Sequence, residues 1–411
     1  MTAREQTECV VVGGGPAGLA AAAAVAAIGA DVCLVAPAAQ KGDVRTAALV
    51  PASIEFLKNI KAWDGLARLS APLAGIRIVD DTGGLLRAPE VLFRARDIGG
   101  EALGHNVPNA ALTAALREAI RASVPIIEDV AEGLEAGTGG ITIHLVSGRR
   151  IRARLAIAAD GRNSRCRQAA KIPVRRWTYE QAAIAASLAH GRSHDDISTE
   201  FYRPAGPLTT VPLPGLASSL VWVERTATAA RLAALTEASF RAALEGRLQG
   251  LLGVVGAIGP RQVFPLSGLL AERMGQDRVA LIGEAAHVLP PIGAQGLNLA
   301  LADAAVLADV LADARRKGGD IGGAGTLEAY HRARARQVAA RSMAADALNR
   351  SLTLNLLPVD LARGLGLHML AAFPALRRSL IRRGLEPAAE RPRLMRPAVD
   401  RPPLAVASSV A

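Results

Sequence analysis

Hydrophobic residues at the start of the chain form a short apolar run, a glycine break and a longer apolar segment. The stretch is "ECVVVGGGPAGLAAAAAVAAIGADVCLVAP", and it carries almost no charge. Short apolar runs bounded by turn residues indicate buried strands, whereas a longer apolar segment indicates a helix. We therefore predict a strand over 8–12, a helix over 16–29 and a second strand over 31–36, which together form a βαβ unit.

The rest of the chain alternates between strand and helix patterns. In "GITIHLVSGRRIRARLAIAADG" apolar and polar residues alternate on both sides of a Ser-Gly turn, which predicts two antiparallel strands. The regions 73–96 and 176–226 also have strand character, and 109–122 and 229–250 have helical character. This order predicts an α/β fold, in which a discontinuous nucleotide-binding domain is interrupted twice by a β-sheet domain.

The C-terminal part has a different pattern. Residues 351–384 are mostly apolar but contain arginines, and a helix starting at Pro374 would place Leu376, Leu380 and Ile381 near one face. We predict a helical amphipathic segment here that holds the protein at an anionic membrane surface; a packed helical subdomain with an exposed arginine edge is the alternative. Five prolines occur in the last 27 residues, so we predict a disordered tail over 385–411.

Composition and charge narrow the possible partners. Half of the 411 residues are hydrophobic and only 3% are aromatic, so alanine, leucine and valine must fill a large core. The formal net charge of +11 suits an anionic cofactor or a membrane surface. Zinc-finger spacing and interleaved basic and aromatic residues are missing from the sequence, which argues against nucleic acid. Three distant cysteines and an N-terminal segment without a positive start predict a cytoplasmic protein.

Gly13, Gly15 and Gly18 form the pattern G-x-G-x-x-G between the first predicted strand and helix. The first glycine allows the tight turn, the second lets a pyrophosphate approach the backbone, and the third permits close helix–strand packing. The N-terminus of the helix then faces the phosphates. We therefore predict a dinucleotide site. The acidic residue expected at the end of the second strand is replaced by Ala36.

Two further motifs make the prediction more specific. "DGRNSRCR" from Asp160 matches D-G-x-x-S-x-x-R, and "GEAAHVLPPIGAQGLN" from Gly283 matches a G-D-x-x-H-type motif with Glu284 in place of aspartate. With "GGGPAG", these motifs resemble those of the single-component FAD-dependent aromatic hydroxylases (class A flavoprotein monooxygenases). The segments "DVRTAAL", "PLPGLASSLVWVE" and "VFPLSG" resemble those of the ubiquinone-biosynthesis branch.

The resemblance implies a domain arrangement. It predicts a Rossmann-like FAD-binding domain of the glutathione-reductase type over 1–72, 97–175 and 261–350. The β-sheet substrate domain is inserted as 73–96 and 176–260. The helical segment 351–384 and the tail 385–411 follow.

The resemblance also implies roles for individual residues. Arg45 points toward the flavin, Glu284 binds the ribityl chain, and the first N–H groups of a helix face the negatively charged edge of the reduced flavin. The residues predicted to bind FAD are Gly13, Gly14, Gly15, Pro16, Ala17, Gly18, Arg45, Asp160, Gly283, Glu284, Gly296, Leu297 and Asn298.

Two residues are predicted to act near the substrate, and no metal ligand is assigned. In the 4-hydroxybenzoate hydroxylases, which this loop resembles, the carbonyl group matching Pro291 contacts the hydroxyl group of the substrate. His287 either takes part in the chemistry or only braces the loop.

The predicted reaction is hydroxylation of an aromatic ring with NAD(P)H and O2, where NAD(P)H binds transiently. We favour a polyprenylated ubiquinone precursor as substrate because "GPLTTVPLPGLASSLVW" contains no charge that could fix a soluble carboxylate. Arg203 lies just outside this stretch, and Gly293 and Ala294 occur in the order typical of 4-hydroxybenzoate hydroxylases, so a small aromatic acid is the alternative. A flavin-binding accessory subunit of a quinone-biosynthesis complex is the second alternative. The expected location is the cytoplasm, at the periphery of the inner membrane if the C-terminal segment binds lipid.

Overall fold

A computed structural model of the chain describes residues 6–38, 42–83, 88–293, 295–354, 357–385 and 391–400. Within these residues, strands dominate the first two thirds and long helices the last third. The strands are β1 (Gln6–Val12), β2 (Val32–Ala36), β3 (Thr46–Leu49), β4 (Ala71–Pro72), β5 (Gly75–Asp80), β6 (Val91–Arg94), β7 (His105–Pro108), β8 (Ile126–Glu128), β9 (Ala131–Ala136), β10 (Ile141–Leu145), β11 (Arg150–Ala158), β12 (Val174–His190), β13 (Ile197–Tyr202), β14 (Leu208–Leu213), β15 (Ala217–Arg225), β16 (Val255–Ile258), β17 (Gln262–Ala271), β18 (Gly275–Gln276), β19 (Val279–Leu281) and β20 (His287–Val288).

The helices connect and cover these strands. They are α1 (Pro16–Ala27), α2 (Pro51–Asn59), α3 (Asp64–Ala67), α4 (Asn109–Ile120), α5 (Arg165–Ala169), α6 (Thr226–Ala233), α7 (Glu237–Leu248), α8 (Gln295–Arg316), α9 (Ala324–Thr353), α10 (Leu357–Ala372) and α11 (Pro374–Leu385). None of the helices in the described part of the chain is both long and apolar enough to cross a bilayer.

The first sheet contains the predicted βαβ unit. Its strand order is β18-β19-β11-β1-β2-β8, and β1 lies parallel to both β2 and β11. Helix α1 connects β1 to β2, as the apolar pattern predicted. The predicted hairpin is also confirmed, because β10 pairs antiparallel with β11 across the Ser-Gly turn. Alanine, leucine and valine side chains from α1, α8 and the strands form the main core, and all three cysteines are buried thiols.

The second sheet has the order β20-β17-β12-β15-β14-β13-β5-β6. One face packs against α7, where Trp222 lies 5.8 Å from Phe240 between ring centroids. The predicted domain ranges remain a prediction, but the boundary at residue 261 differs from the arrangement of the sheets. The predicted ranges assign β17 to the FAD-binding domain, yet it pairs with β12 in the second sheet because the two long strands continue side by side.

A small antiparallel sheet, β3-β7-β4, contacts β14 of the second sheet and helix α8. Asn106 on β7 is fully buried and donates a hydrogen bond of 2.8 Å to the carbonyl oxygen of Pro212 on β14. Thr46 on β3 and Ser219 on β15 are joined by a hydroxyl–hydroxyl bond of 2.8 Å. These bonds fix the small sheet against the face of the second sheet that is opposite to α7.

The C-terminal part confirms one prediction and corrects another. Helix α11 begins at Pro374 as predicted, but Ile381 is buried while Leu376 and Leu380 are exposed, so the three do not share one apolar face. The prediction of a disordered tail is wrong for residues 391–400. Leu394 and Met395 are buried in the main core, and Asn59 on α2 donates hydrogen bonds to the carbonyl groups of Leu394 and Arg396. Burial of two apolar side chains offsets the irregular, proline-rich backbone; residues 386–390 and 401–411 lie outside the described residues.

Candidate active site

The glycine-rich loop after β1 is shaped by contacts that only glycine permits. Gly13 has a φ of +121°, and a Cβ atom there would lie 2.2 Å from the carbonyl oxygen of Ala159. A Cβ atom on Gly18 would lie 1.9 Å from the carbonyl oxygen of Gly13. Around Gly15, in contrast, a Cβ atom would meet nothing within 4 Å. The loop therefore packs tightly at its first and third glycines and leaves open space at the second, as a pyrophosphate site requires.

Helix α1 presents its N-terminus to this open space. Gly15 is the N-cap residue, no side chain caps the helix, and Pro16 is in the first turn with Ala17 following it. The N–H groups of a first helical turn have no partner within the helix, and the helix dipole favours an anion at this end. The first turn contains no acidic side chain that would repel phosphate.

The end of β2 shows a cationic residue that the sequence reasoning missed. Ala36 is buried, and a Cβ atom on Gly14 would lie 2.6 Å from the Cβ atom of Ala36 and 3.8 Å from a guanidinium nitrogen of Arg117. The Nε atom of Arg117 is buried without a hydrogen-bond partner in the described structure. Arg117 belongs to α4, whose sequence contains no recognisable motif, so only the packing of α4 against α1 reveals its position.

The Asp160 motif joins two parts of the site. One oxygen of Asp160 accepts a hydrogen bond of 3.1 Å from the N–H group of Cys166, while the other oxygen is buried and has no partner among the described residues. Ser164 caps α5 by accepting from the N–H group of Arg167. The buried guanidinium group of Arg167 donates a hydrogen bond of 2.7 Å to the carbonyl oxygen of Ala285. Arg167 therefore ties this motif to the Gly283 loop, and Asp160 keeps one oxygen free for a ligand.

Gly283 brings the beginnings of α1 and α8 together. Its φ is +59°, and a Cβ atom there would lie 3.1 Å from the Cβ atom of Ala300 and 3.2 Å from that of Ala17. Its N–H group donates a hydrogen bond of 3.1 Å to the buried carboxylate of Asp303. Small residues on both helices therefore let the two positive helix ends approach the same region.

A buried ion-pair cluster fixes this arrangement. The Nε2 atom of His287 and the Nε atom of Arg334 each lie 2.7 Å from an oxygen of Asp303, and all three side chains are at most 1% exposed. Burial alone would raise the pKa of Asp303, but the neighbouring Arg334 and His287 lower it below its ordinary value. His287 is not among the described residues that line the cavity between these loops and the second sheet. Its position supports loop bracing, the second of the two predicted roles.

The first turn of α8 combines open space with a bracing side chain. Gly296 is exposed, and a Cβ atom there would meet nothing within 4 Å. Leu297 packs partly against the main core. Asn298 accepts a hydrogen bond from the N–H group of Val50 and donates one to the carbonyl oxygen of Ala48, at 3.1 and 2.8 Å. The side chain of Asn298 thus positions the helix, and its backbone N–H group remains at the helix end.

A cavity of about 190 Å³ lies between these loops and the second sheet. Three predicted site residues, Arg45, Glu284 and Pro291, line it together. A cavity of roughly 150 Å³ can bind benzene, so this one is large enough for a single aromatic ring. Most of the remaining wall is apolar and comes from the loop before β3, from β12, β15 and β17, and from the loop around β20. Its residues are Val44, Ala183, Ala185, Leu220, Val221, Phe264, Pro265, Leu266, Val288 and Leu289.

The cationic side chains in the described cavity wall are both paired with acids. Arg45 lies 2.8 Å from the carboxylate of Asp43 and stacks over the ring of Phe264 at 4.9 Å. The hydrogen bond to Asp43 raises the pKa of Arg45, and the nearby charge of Glu284 adds to the shift. Arg162 lies 3.2 Å from the half-exposed carboxylate of Glu284.

These features fit FAD. The open space at Gly15, the uncapped start of α1 and Arg117 suit the anionic pyrophosphate, and the start of α8 suits the negative edge of a reduced flavin. The free oxygen of Asp160 and the carboxylate of Glu284 can accept hydrogen bonds from hydroxyl groups of the cofactor.

Comparison with known proteins agrees with this geometry. Residues 6–345 match the family described as "FAD binding domain". The chain is 35% identical over 407 residues to the ubiquinone hydroxylase UbiL of Rhodospirillum rubrum, covering 96% of this chain and 94% of that protein. It is 30% identical over 398 residues to the 3-demethoxyubiquinol 3-hydroxylase of Escherichia coli, covering 93% and 99% of the two chains. The crystal structure of p-nitrophenol 4-monooxygenase PnpA from Pseudomonas putida shares the fold, with a TM-score of 0.77, 18% identity and coverage of 94% and 100%. The chain therefore belongs to the FAD-dependent aromatic hydroxylases, in the branch of the ubiquinone-biosynthesis hydroxylases.

Proposed function

We propose that this FAD-dependent monooxygenase hydroxylates the ring of a polyprenylated ubiquinone precursor, with NAD(P)H and O2 as co-substrates. The main observation in support of this substrate concerns the charges of the cavity wall. The two cations in the described wall of the ring cavity, Arg45 and Arg162, are each already paired with a carboxylate. A soluble aromatic acid would bring its own carboxylate into this cavity and would need an unpaired cation to compensate for desolvation.

Arg203 does not supply that cation. Its side chain is 8% exposed and lies 3.2 Å from Glu224 and 3.4 Å from Asp81. Breaking such a buried pair to bind a substrate carboxylate would leave an acid uncompensated, which is costly. Arg203 therefore no longer supports a small aromatic acid as the substrate. The order of Gly293 and Ala294 also favoured that acid in the sequence, but Ala294 lies outside the described residues.

The residues of the cavity have distinct tasks in the proposed reaction. FAD, when bound, would pass the electrons of NAD(P)H to O2 and transfer one oxygen atom of that O2 to the ring. Pro291 lines the cavity, and its carbonyl oxygen accepts a hydrogen bond from the hydroxyl group of the phenol and so orients the ring. The apolar wall formed by Ala185, Val221 and Leu266 excludes water from the reacting oxygen. The N-terminus of α8 stabilises negative charge on the cofactor.

A direct comparison of substrates tests the proposal. The purified protein is loaded with FAD, and product formation is measured with NADH or NADPH for a short-chain prenylphenol and for 4-hydroxybenzoate. We expect hydroxylated product from the prenylphenol and only uncoupled oxidation, or none, with the benzoate. Turnover of the benzoate alone would favour the small aromatic acid. Bound FAD without turnover of either compound would favour the accessory subunit.

A pair of variants on β12 connects the activity to the cavity. Ala185→Leu adds three carbon atoms to a buried position in the cavity wall, whereas Ala189→Leu adds the same atoms at an exposed position on the same strand. We expect Ala185→Leu to lose prenylphenol turnover while it retains FAD, and Ala189→Leu to resemble the wild type. Equal activity of both variants would mean that the ring binds elsewhere.

A further inference from the structure

Helices α10 and α11 expose a continuous row of large apolar side chains. The row, called here the apolar stripe, consists of Leu361, Leu365, Met369, Phe373, Leu376 and Leu380. These side chains are between 39% and 60% exposed. Residues four apart lie on one face of a helix, so the members of the stripe on each helix point the same way. Single exposed apolar residues are ordinary, but a contiguous row of this length marks an interaction surface.

The opposite side of the same helices is held by a small core. Leu367 on α10 and Ile381 on α11 are buried in a cluster with Val91 and Phe93 on β6. Arg363 on α10 is fixed by bonds to Asp360 and to the carbonyl oxygen of Ser351. The helices therefore have a defined inner face, and the stripe is their outer face rather than an unpacked core.

The charge around the stripe is strongly positive. From residue 351 to 385 the sequence contains five arginines and one acidic residue, Asp360. Asp360 is neutralised by Arg363 at 2.7 Å. Arg378 and Arg382 on α11 are exposed, and neither forms an ion pair with another described residue. An apolar face bordered by exposed arginines matches the interface of an anionic bilayer, where side chains insert and arginines contact headgroups.

We infer that the apolar stripe, with Arg378 and Arg382, is a docking surface for an anionic lipid bilayer. The six side chains insert at the level of the headgroups, and the protein lies on the surface without spanning it. The inference refines the prediction for segment 351–384: four of the six inserted residues come from α10 and its C-terminal end, and Ile381 serves the inner core.

The position of the stripe relative to the ring cavity suggests that docking brings the cavity close to substrate in the bilayer. This conclusion rests on the proposed function. Val221, which lines the cavity, is paired with Thr209 across β15 and β14, and Glu200 on β13 is paired with both Thr209 and Ile78 on β5. Paired residues share one face of a sheet. Ile78 packs against the cluster under α10, so the cavity and the C-terminal helices lie on the same face. A prenylated substrate in the bilayer would reach the ring cavity along this face.

Vesicle flotation tests the inference on the full-length, FAD-loaded protein. The protein is mixed with vesicles of phosphatidylcholine alone or of phosphatidylcholine with phosphatidylglycerol, at low and at high salt. We expect flotation with the phosphatidylglycerol vesicles, weakened by salt, and little flotation with phosphatidylcholine alone.

Matched variants distinguish binding through the stripe from nonspecific adsorption of exposed apolar residues to vesicles. Leu365→Ser with Phe373→Ser removes two inserted side chains, and Leu216→Ser with Val254→Ser removes two other large apolar side chains that are more than half exposed elsewhere. We expect the first pair to lower vesicle affinity by about tenfold or more and the second to leave it unchanged. Arg378→Gln with Arg382→Gln should lower it by about fivefold for each arginine, and exposed Arg150→Gln with Arg152→Gln much less.

Two further measurements keep the outcomes distinct. Hydroxylation of a short-chain prenylphenol in solution should be the same in the stripe variants and the wild type. A wild type that floats with the vesicles but does not hydroxylate the prenylphenol would count against the proposed function and not against the docking surface. Equal vesicle binding by the wild type and the Leu365→Ser, Phe373→Ser variant would overturn the docking surface. The docking surface would also be overturned if the wild type does not float but sediments as a dimer, and the same variant sediments as a monomer. The stripe would then bind a second copy of the protein.

Discussion

The cofactor side and the ring side of the site maintain their shapes by different means. On the cofactor side, close approach of the backbone at Gly13, Gly18 and Gly283 decides the geometry, and a deeply buried cluster around Asp303 locks it. On the ring side, the geometry depends on small and apolar side chains of the second sheet and on partly exposed ion pairs. Substitutions at these tightly packed cofactor-side residues should therefore lower the free energy of unfolding strongly, whereas the ring side can change its substrate with little loss of stability.

The largest expected effect lies in the buried cluster. Asp303→Asn leaves Arg334 buried opposite a neutral side chain, and breaking a buried pair in this way costs about 3–5 kcal/mol in the free energy of unfolding. Chemical denaturation of the variant measures the loss. Exposed Asp195→Asn is the matched control and should stay within about 0.5 kcal/mol of the wild type. A stable Asp303→Asn protein would show that the cofactor side is not locked by this cluster.

Two glycine variants distinguish folding from cofactor binding. Gly18→Ala forces its Cβ atom against the carbonyl oxygen of Gly13, so we expect destabilisation of about 3 kcal/mol even without FAD. Gly15→Val points into open space, so the apoprotein should be as stable as the wild type. Its side chain would occupy the path of the pyrophosphate and lower FAD affinity by at least about a hundredfold, or about 3 kcal/mol. Normal flavin content in Gly15→Val would contradict the placement of the phosphates.

On the ring side, Glu200 predicts a pH-dependent stability. Burial raises its pKa from an ordinary 4.5 to about 7. The folded state holds this proton more tightly than the unfolded state, so wild-type stability falls as the pH rises from 4.5 through 7. Glu200→Gln removes this dependence and should be more stable above pH 7 by up to about 3 kcal/mol. The exposed control Glu101→Gln should show the same dependence of unfolding free energy on pH as the wild type. If Glu200→Gln shows that same dependence, the pKa of Glu200 is not raised.

Arg117→Gln tests whether the cofactor side uses a side-chain cation. Its guanidinium group lies beside Gly14, where it can reach the pyrophosphate or the adenosine half of FAD. Loss of one charge-assisted hydrogen bond should lower FAD affinity by about tenfold, or about 1.4 kcal/mol, in a fluorescence titration. Arg121→Gln, at the exposed end of the same helix, should leave it unchanged. Equal affinities would mean that the backbone alone holds the cofactor.

The contrast between the two sides also explains what the sequence could reveal. Gly13 and Gly18 touch the backbone, Gly15 faces open space, and Gly283 has a positive φ between two helices. Each of these roles requires glycine at a fixed place in a motif, so all four could be recognised, and the βαβ unit with them. Pairings between distant side chains leave no such pattern. Arg334 is one of many arginines in α9, and nothing in its neighbours indicates that it meets Asp303 thirty-one positions earlier. For the same reason the sequence does not reveal Arg117. The prediction of disorder over 391–400 is wrong because burial of two apolar side chains outweighs the proline content of this segment.

The smallest expected effect concerns Glu284, where the two sides meet. Its carboxylate is half exposed and lies 3.2 Å from Arg162, and an exposed ion pair contributes little to stability. Glu284→Ala should therefore leave the free energy of unfolding unchanged but weaken FAD binding by about 0.5–1.5 kcal/mol, through loss of one hydrogen bond to the ribityl chain. Glu284→Asp restores the residue usual at this position of the motif, and we expect it to bind FAD at least as tightly as the wild type. Arg162→Gln is the control, because it removes the ion pair and keeps the carboxylate. If Arg162→Gln weakens FAD binding as much as Glu284→Ala, then Glu284 acts by positioning Arg162 and not by contacting the cofactor.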